Sequence, residues 1–162
     1  MQINLRTCYI DSMAHGNENP FWKDNKLDRE ITLKADQNSL YKLADFVAAH
    51  AWEAGFEDKR IEEIRLASQE ALKNICEFAY NGKGGEITVE CSVTDAGALI
   101  VTITDYGKPF NMLLADLTPD PQEKNERKNE SVRLIKRLIK NVEYRRDAFR
   151  NIMIFVIPKP FI

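Results

Sequence analysis

The chain has 162 residues, of which 44% are hydrophobic and 30% are charged, and its formal net charge at pH 7 is −2. This composition is typical of a globular domain with its own core and excludes a wholly disordered chain, while the small net charge gives no general attraction to nucleic acid. No apolar run approaches the roughly 18 residues of a membrane span, and no signal-peptide pattern, paired-cysteine spacing or His/Cys metal cluster is present. We therefore expect a cytoplasmic protein. We expect residues 1–27, which are polar and turn-rich, to form an N-terminal extension, and residues 28–162 to form the domain.

The first elements of the domain are a strand and a helix. Residues 29–35 alternate between apolar and polar side chains, which predicts a strand. The apolar spacing that follows predicts a helix over residues 40–54, with Asn38 or Ser39 as its cap and Gly55 as its end.

A second helix and a hairpin come next. The helix is predicted for residues 59–80, with Asp58 as its cap, and it ends before the sequence NGKGG. Residues 86–93 and 98–105 are rich in β-branched side chains, and TDAG between them is typical of a hairpin turn.

The C-terminal part contains a long loop, a helix and two strands. Residues 106–130 hold prolines and a polar stretch, which is typical of a lid or binding loop. A helix is predicted for residues 131–142, and strands for 142–147 and 150–157 with a short turn between them. This order predicts a two-layer α/β sandwich, with helices on one face of a mixed, mostly antiparallel sheet.

The second helix carries a narrow polar stripe opposite its apolar face, formed by Glu63, Glu70, Asn74 and Glu77. A solvated helix face would give the same pattern. However, Asn is a poor residue inside a helix, and here it follows a carboxylate by one turn. A carboxylate can act as a general base and an amide oxygen is a hard ligand for magnesium, so the stripe is also a candidate active site.

A second candidate feature is Asp105, which ends an apolar strand two residues before Gly107. Asp and Gly are common in ordinary turns. A buried carboxylate at a strand end can also accept a hydrogen bond from the exocyclic amine of a ligand, and glycine permits close approach of the backbone.

Taken together, the strings EALKNICEFAY, DYGKPFN and LIKRLIKNVEYRRDAFRNI resemble the bacterial anti-sigma-factor serine kinases over about residues 28–157. That group shares the ATPase fold of gyrase and the histidine kinases. The resemblance implies that Glu70 is the general base, that Asn74 holds the magnesium ion of bound ATP, that Asp105 reads the adenine amino group and that Gly107 shapes the nucleotide pocket. It also implies a serine of an antagonist protein as phosphate acceptor, a sigma factor as partner, and a homodimer.

The sequence departs from that family at the phosphate-binding segment. Where the family has a glycine-rich stretch, this chain has KNESVR, residues 128–133, without glycine. Phe149 stands at a usual turn glycine, and Ile154 near a usual threonine.

Basic side chains offer an alternative phosphate cradle. Residues 123–150 hold ten Lys or Arg and five Asp or Glu, a local charge of +5. The candidate phosphate-binding residues are Lys128, Ser131 and Arg133, with Lys124 and Arg127 beside them. A basic helix with one apolar side is also typical of an ordinary solvated face.

Two functions follow from the resemblance, and a third is carried by charge alone. The first is an anti-sigma factor that binds ATP and Mg²⁺ and phosphorylates a serine of an antagonist protein. The second is a nucleotide-free protein-binding adaptor of the same fold. The third is a nucleic-acid binder acting through the basic segment, which no motif supports. The retained Glu70, Asn74 and Asp105 favour the first, and we expect no membrane or direct nucleic-acid partner.

Overall fold

The computed structural model describes residues 29–114 and 126–160. The strands are β1 (Glu30–Lys34), β2 (Glu86–Val93), β3 (Leu99–Asp105), β4 (Asn141–Asp147) and β5 (Arg150–Ile157). The helices are α1 (Gln37–Glu53), α2 (Asp58–Asn74) and α3 (Glu126–Leu138). A π-helical turn (Ile75–Ala79) continues α2, and a 3-10 turn (Met112–Leu114) follows β3. The expected N-terminal extension and Lys124 lie outside the described residues.

The five described strands form one sheet in the order β1-β2-β3-β5-β4, and all four pairings between them are antiparallel. The β2–β3 and β4–β5 hairpins lie where the sequence predicts them. The register of β3 with β5 places Asp105 opposite Asn151, at the end of the sheet where the candidate site begins.

The core lies between the helices and one face of the sheet, which confirms the α/β sandwich. Along β3, fully buried Leu99, Val101 and Ile103 alternate with half-buried residues, as expected of a strand with one covered face. Helix α1 packs on β1, β2 and β3, and α2 packs on α1 and α3. Among the residues that the structure describes, no helix has both the length and the apolar character needed to cross a lipid bilayer.

The caps expected for α1 and α2 are wrong. Asp36 caps α1, because its Oδ1 accepts a hydrogen bond from the Ser39 backbone N–H at 2.8 Å, so the helix begins three residues before the expected Leu40. Asp58 is already helical, and Glu57 before it makes no capping bond through its side chain.

Helix α3 is shifted towards the N-terminus relative to the predicted 131–142. It ends at Leu138 because Asn141 and Val142 pair with β5 as the start of β4. It begins at Glu126, inside the stretch expected to be loop, where the residues are polar and carry little apolar periodicity.

Candidate functional site

The polar stripe of α2 is only partly a solvated face. Asn74 is fully buried, and the side chain of Glu70 is 16% exposed. Glu70 accepts a hydrogen bond from the Lys73 ammonium, with 3.2 Å between Nζ and Oε1. Glu77 lies in the π-helical turn and is about half exposed. The stripe therefore runs from the surface into the contact between α2 and α3.

The Asn74 amide has one satisfied end and one unsatisfied end. Its Nδ2 donates to the Ser131 hydroxyl at 3.0 Å and lies 3.9 Å from the sulfur of Met112. Its Oδ1 is buried and has no hydrogen-bond partner among the described residues. An unsatisfied buried carbonyl costs about 1–3 kcal/mol and often marks a place where a ligand supplies the missing partner.

Asp105 lies at the other end of the candidate site and is 2% exposed. Its Oδ1 accepts hydrogen bonds from the Gly107 backbone N–H at 2.9 Å and from Asn151 Nδ2 at 2.8 Å. Burial raises the pKa of Asp105 above its ordinary value, and these two bonds partly oppose that rise. Within the described ranges, no hydrogen bond reaches Oδ2 of this carboxylate, so that oxygen is the one available to a ligand.

Asn151 is a site residue that the sequence analysis missed. It is 3% exposed and contacts Asp105, the segment after β3, and β4. The missed signal was register: Asn151 interrupts an apolar strand, and in a paired hairpin it lies directly opposite Asp105.

The backbone of Gly107 makes a close contact, but the contact is with Ala79 of the same protein and not with a ligand. A Cβ atom at this position would lie 2.6 Å from the carbonyl oxygen of Ala79 in the π-helical turn. The next residue, Lys108, donates its backbone N–H to the same carbonyl at 3.0 Å. Glycine is therefore required at this position for packing of the turn against the end of β3, whether or not it also shapes a nucleotide pocket.

The candidate phosphate-binding residues fall into two groups. Lys128 and Ser131 are buried between α2 and α3, with the Lys128 ammonium 5.1 Å from the centre of the Phe78 ring. Arg133 is exposed. Arg127, which also faces the Phe78 ring, forms an ion pair with Glu77. The first turn of α3 is thus held against the π-helical turn after α2 by the same cations that we expect to meet phosphate.

The β4–β5 turn forms without the glycine that the resembling family usually has at the position of Phe149. Ala148, not Phe149, adopts the left-handed conformation (φ 51°), and Phe149 is 80% exposed. Ile154 lies in β5 opposite Thr102. Neither replacement touches Asp105 or Asn74 in a described contact.

A separate open cleft of about 620 Å³ lies at the N-terminus of α1. It is lined by Ala35–Gln37, Cys76, Glu77 and Asn81–Gly84, so Glu70, Asn74 and Asp105 are outside it. Burial raises the pKa of the Cys76 thiol to about 11, so this thiol is protonated and unreactive at neutral pH.

The donor set fits a magnesium ion that is bound mostly through a nucleotide. The described residues contain no group of three or more His, Cys, Asp or Glu side chains able to hold a metal. Asn74 Oδ1, like Asn129 Oδ1 on α3, is a buried hard oxygen without a partner among the described residues. Mg²⁺ commonly takes one or two protein oxygens, with phosphates and water completing its octahedron.

Comparisons with known proteins agree with the resemblance noted in the sequence. The chain is 32% identical over 89 residues to the serine-protein kinase RsbW of Listeria innocua, covering 54% of this chain and 55% of that protein. It is 27% identical over 84 residues to the anti-sigma F factor of Clostridium acetobutylicum, covering 52% and 57%. The chain thus spans about half the length of the curated relatives it matches.

A solved structure shows the same fold. The structure of the RsbU and RsbW domains of a Mycobacterium tuberculosis protein superposes with a TM-score of 0.57 and 18% identity, over 81% of this chain and 32% of that one. The sequence signature of the histidine kinase-like ATPase domain matches residues 33–157, which include Glu70, Asn74 and Asp105. The chain therefore belongs to the histidine kinase-like ATPase domain family.

Proposed function

We propose that the chain is a cytoplasmic anti-sigma factor that binds ATP with Mg²⁺ and phosphorylates a serine of an antagonist protein. The observation that carries the proposal is the buried Asn74 amide, one helical turn after Glu70, whose Oδ1 has no partner in the part of the chain that the structure describes. The similarity of the chain to RsbW and to the anti-sigma F factor supports a sigma factor and an antagonist protein as partners. A homodimer is part of the proposal.

Each residue has a separate task in the proposed reaction. Bound ATP supplies the phosphoryl group, and a magnesium ion held by Asn74 Oδ1 would neutralise phosphate charge. Glu70 accepts the proton of the attacking serine hydroxyl as the new oxygen–phosphorus bond forms and ADP leaves. Asp105 accepts a hydrogen bond from the adenine amine through Oδ2. Lys128, Ser131 and Arg133, with Arg127, provide the phosphate contacts that a glycine-rich loop otherwise supplies.

Access to Asn74 requires a rearrangement. The side chain is closed from solvent by Ser131 in the second turn of α3 and by Met112 in the 3-10 turn, so nucleotide binding has to move these two side chains away from Asn74. This closure, and the absence of glycine from residues 128–133, favour the second candidate function, a nucleotide-free protein-binding adaptor.

Substitutions on α2 test the kinase proposal. Glu70→Gln keeps the shape of the side chain but removes the proton acceptor, so we expect phosphate transfer to slow about 10²–10⁴-fold while ATP affinity stays nearly constant. Asn74→Ala removes the metal ligand, so we expect it to weaken Mg²⁺-dependent ATP binding. Radiolabelled phosphate transfer and calorimetric titration with and without Mg²⁺ measure the two effects.

Controls separate these effects from misfolding and from the adaptor function. Asn74→Asp retains an oxygen ligand and should bind Mg²⁺-ATP better than Asn74→Ala does. Glu63→Gln removes a carboxylate from the same stripe seven residues, or about two helical turns, before Glu70. It should leave transfer unchanged. If the wild type neither binds ATP nor transfers phosphate, while it still binds a sigma factor, the adaptor function replaces the kinase.

A further inference from the structure

Asn151 has the features of a side chain that holds another in place. Its Nδ2 donates to Asp105 Oδ1 and to the Lys108 carbonyl, both at 2.8 Å. Its Oδ1 accepts from the Tyr144 hydroxyl at 2.6 Å, from Arg146 Nη1 at 3.1 Å and from the Phe110 backbone N–H at 3.2 Å. Every hydrogen-bonding group of the amide is used within the protein.

The surroundings permit only one orientation of this amide. A backbone N–H and a guanidinium are donors only, so they require an acceptor, which is Oδ1. The Lys108 carbonyl is an acceptor only, so it requires a donor, which is Nδ2. If the amide were flipped, its NH₂ group would face the donors of Phe110 and Arg146, and its oxygen would face the Lys108 carbonyl. The donor that faces Asp105 is therefore fixed by three other parts of the fold.

This arrangement determines which oxygen of Asp105 is free. The outer torsion of an aspartate is soft, so an unrestrained carboxylate would turn. Here Asn151 and the Gly107 backbone both bond Oδ1, which leaves Oδ2 to meet a ligand. Arg146 adds to the restraint by donating to both the Gly107 carbonyl and Asn151.

We propose that Asn151 is a positioning residue that holds Asp105 as a hydrogen-bond acceptor, and that it thereby sets a preference for 6-amino purine nucleotides over 6-oxo purine nucleotides. The inference rests on the proposed nucleotide site. An amine at position 6 donates to Oδ2, whereas a 6-oxo group places an oxygen against a carboxylate and is repelled. Asn151 itself is too buried to contact the base.

The test compares Mg²⁺-ATP with Mg²⁺-inosine triphosphate in calorimetric titrations of the full chain. Asn151→Asp is nearly isosteric and keeps the acceptor for Tyr144, but it replaces the donor with an oxygen 2.8 Å from Asp105 Oδ1. Two carboxylates at that distance share one proton, which lies between residue 151 and Asp105 Oδ1. The negative charge at Asp105 Oδ2 therefore falls, so this oxygen accepts less well from a 6-amino group and repels a 6-oxo group less. We expect the preference for ATP over inosine triphosphate to fall about 10-fold or more.

Two further variants separate positioning from a merely structural role. Tyr144→Phe removes one bond on the acceptor side of Asn151, and should lower stability while keeping the nucleotide preference within about 3-fold. Asn151→Thr keeps a hydroxyl donor for Asp105 and should retain most of the preference. Thermal unfolding of each variant shows which proteins are folded. If Asn151→Asp does not fold, Asn151→Val takes its place, because valine has the shape of threonine without the hydroxyl donor and should lose the preference that Asn151→Thr keeps.

The outcomes distinguish this inference from the proposed function. If the wild type binds ATP and prefers it, but Asn151→Asp keeps that preference or Tyr144→Phe loses it equally, Asn151 has no specific role and the inference is wrong. If Asn151→Thr abolishes the preference, the positioning donor is not what matters, and the inference is again wrong. If the wild type binds neither nucleotide, the proposed function fails and the inference falls with it.

Discussion

At Asp105, the requirements of protein stability and of the proposed function conflict. Its carboxylate is 2% exposed, and loss of hydration raises its pKa. The two bonds from Gly107 and Asn151 compensate for part of that loss, but both go to one oxygen. A buried carboxylate with one oxygen left unbonded lowers stability, as is common for residues that serve a binding site.

We expect Asp105→Asn to stabilise the protein and weaken ATP binding. The amide oxygen can accept the same two hydrogen bonds, and no charge is then buried. Because the folded-state pKa of Asp105 is raised, the folded state holds the proton more tightly, and wild-type stability falls as pH rises from 3.8 through the folded-state pKa. The stability advantage of Asp105→Asn should therefore be larger at pH 7 than at pH 3.5.

Urea unfolding at the two pH values measures this difference, and a nucleotide titration measures the loss of affinity, which should be about 10-fold or more because a donor then faces the adenine amine. Thr104→Val, beside Asp105 on the opposite face of β3, serves as a control without an ionisable group. An equal stability change at both pH values would show that Asp105 is not buried as a charged group.

The sequence indicates Asp105 and Asn74, and also their partners Gly107 and Ser131, but not Asn151 and Met112, which complete the site. Both stand out because their types are unusual in their positions, a carboxylate ending an apolar strand and an amide inside a helix. Asn151, by contrast, acquires its role from strand register, and Met112 from the path of the segment after β3. Register and loop path depend on tertiary packing, which local patterns do not contain.

At the level of secondary-structure elements, the π-helical turn after α2 connects the helix to the strand end. Its carbonyl at Ala79 accepts the Lys108 N–H, and Gly107 lies against the same peptide. Single π-helical turns within helices are common at functional sites. Here the turn joins the element that carries Asn74 to the residues that follow Asp105.

We expect Gly107→Ala to destabilise the protein by about 1–3 kcal/mol, because its Cβ would lie 2.6 Å from the Ala79 oxygen and 2.8 Å from the Ala79 Cβ. Gly82→Ala is the matched control, since a Cβ there meets nothing within 4 Å and only the positive φ of +70° opposes it, at about 1–2 kcal/mol. Hydrogen exchange should show the Lys108 amide losing protection in the first variant alone. A Gly107→Ala protein as stable as Gly82→Ala, with that amide still protected, would contradict the packing role.

The helices and strands were predicted correctly where apolar periodicity is strong. The prediction failed where polar side chains determine the bounds of an element. The β2, β3 and β5 strands and both hairpins follow from alternating β-branched residues and turn residues. The start of α3 was not predicted, because its residues are polar. Lys128 is buried against Phe78, and a polar sequence pattern does not indicate such burial. The π-helical turn also leaves no mark in the apolar spacing of α2.

At the scale of the whole molecule, charge is divided between two regions. Residues 123–150 carry +5, and the remainder of the chain carries −7, which gives the net charge of −2. These regions meet where the π-helical turn after α2 contacts α3: Glu77 of the turn, in the negative region, pairs with Arg127 of α3, in the positive region. Phosphate groups would compete with Glu77 for the same guanidinium.

We therefore expect ATP binding to be sensitive to salt and to be restrained by Glu77. Exposed charges are screened over a Debye length of about 8 Å at physiological ionic strength, so the affinity for ATP should fall as salt is raised.

Glu77→Gln frees Arg127 for phosphate. Both partners are 46% exposed, and an ion pair of that kind contributes about 0.2–1 kcal/mol, so the variant should bind ATP up to about 5-fold more tightly at low salt. Glu130→Gln removes the same charge from an exposed position on α3 and provides the control in calorimetric titrations at low and high salt. If Glu77→Gln binds ATP no more tightly than Glu130→Gln does, or if wild-type affinity is indifferent to salt, basic side chains are not the phosphate cradle of this protein.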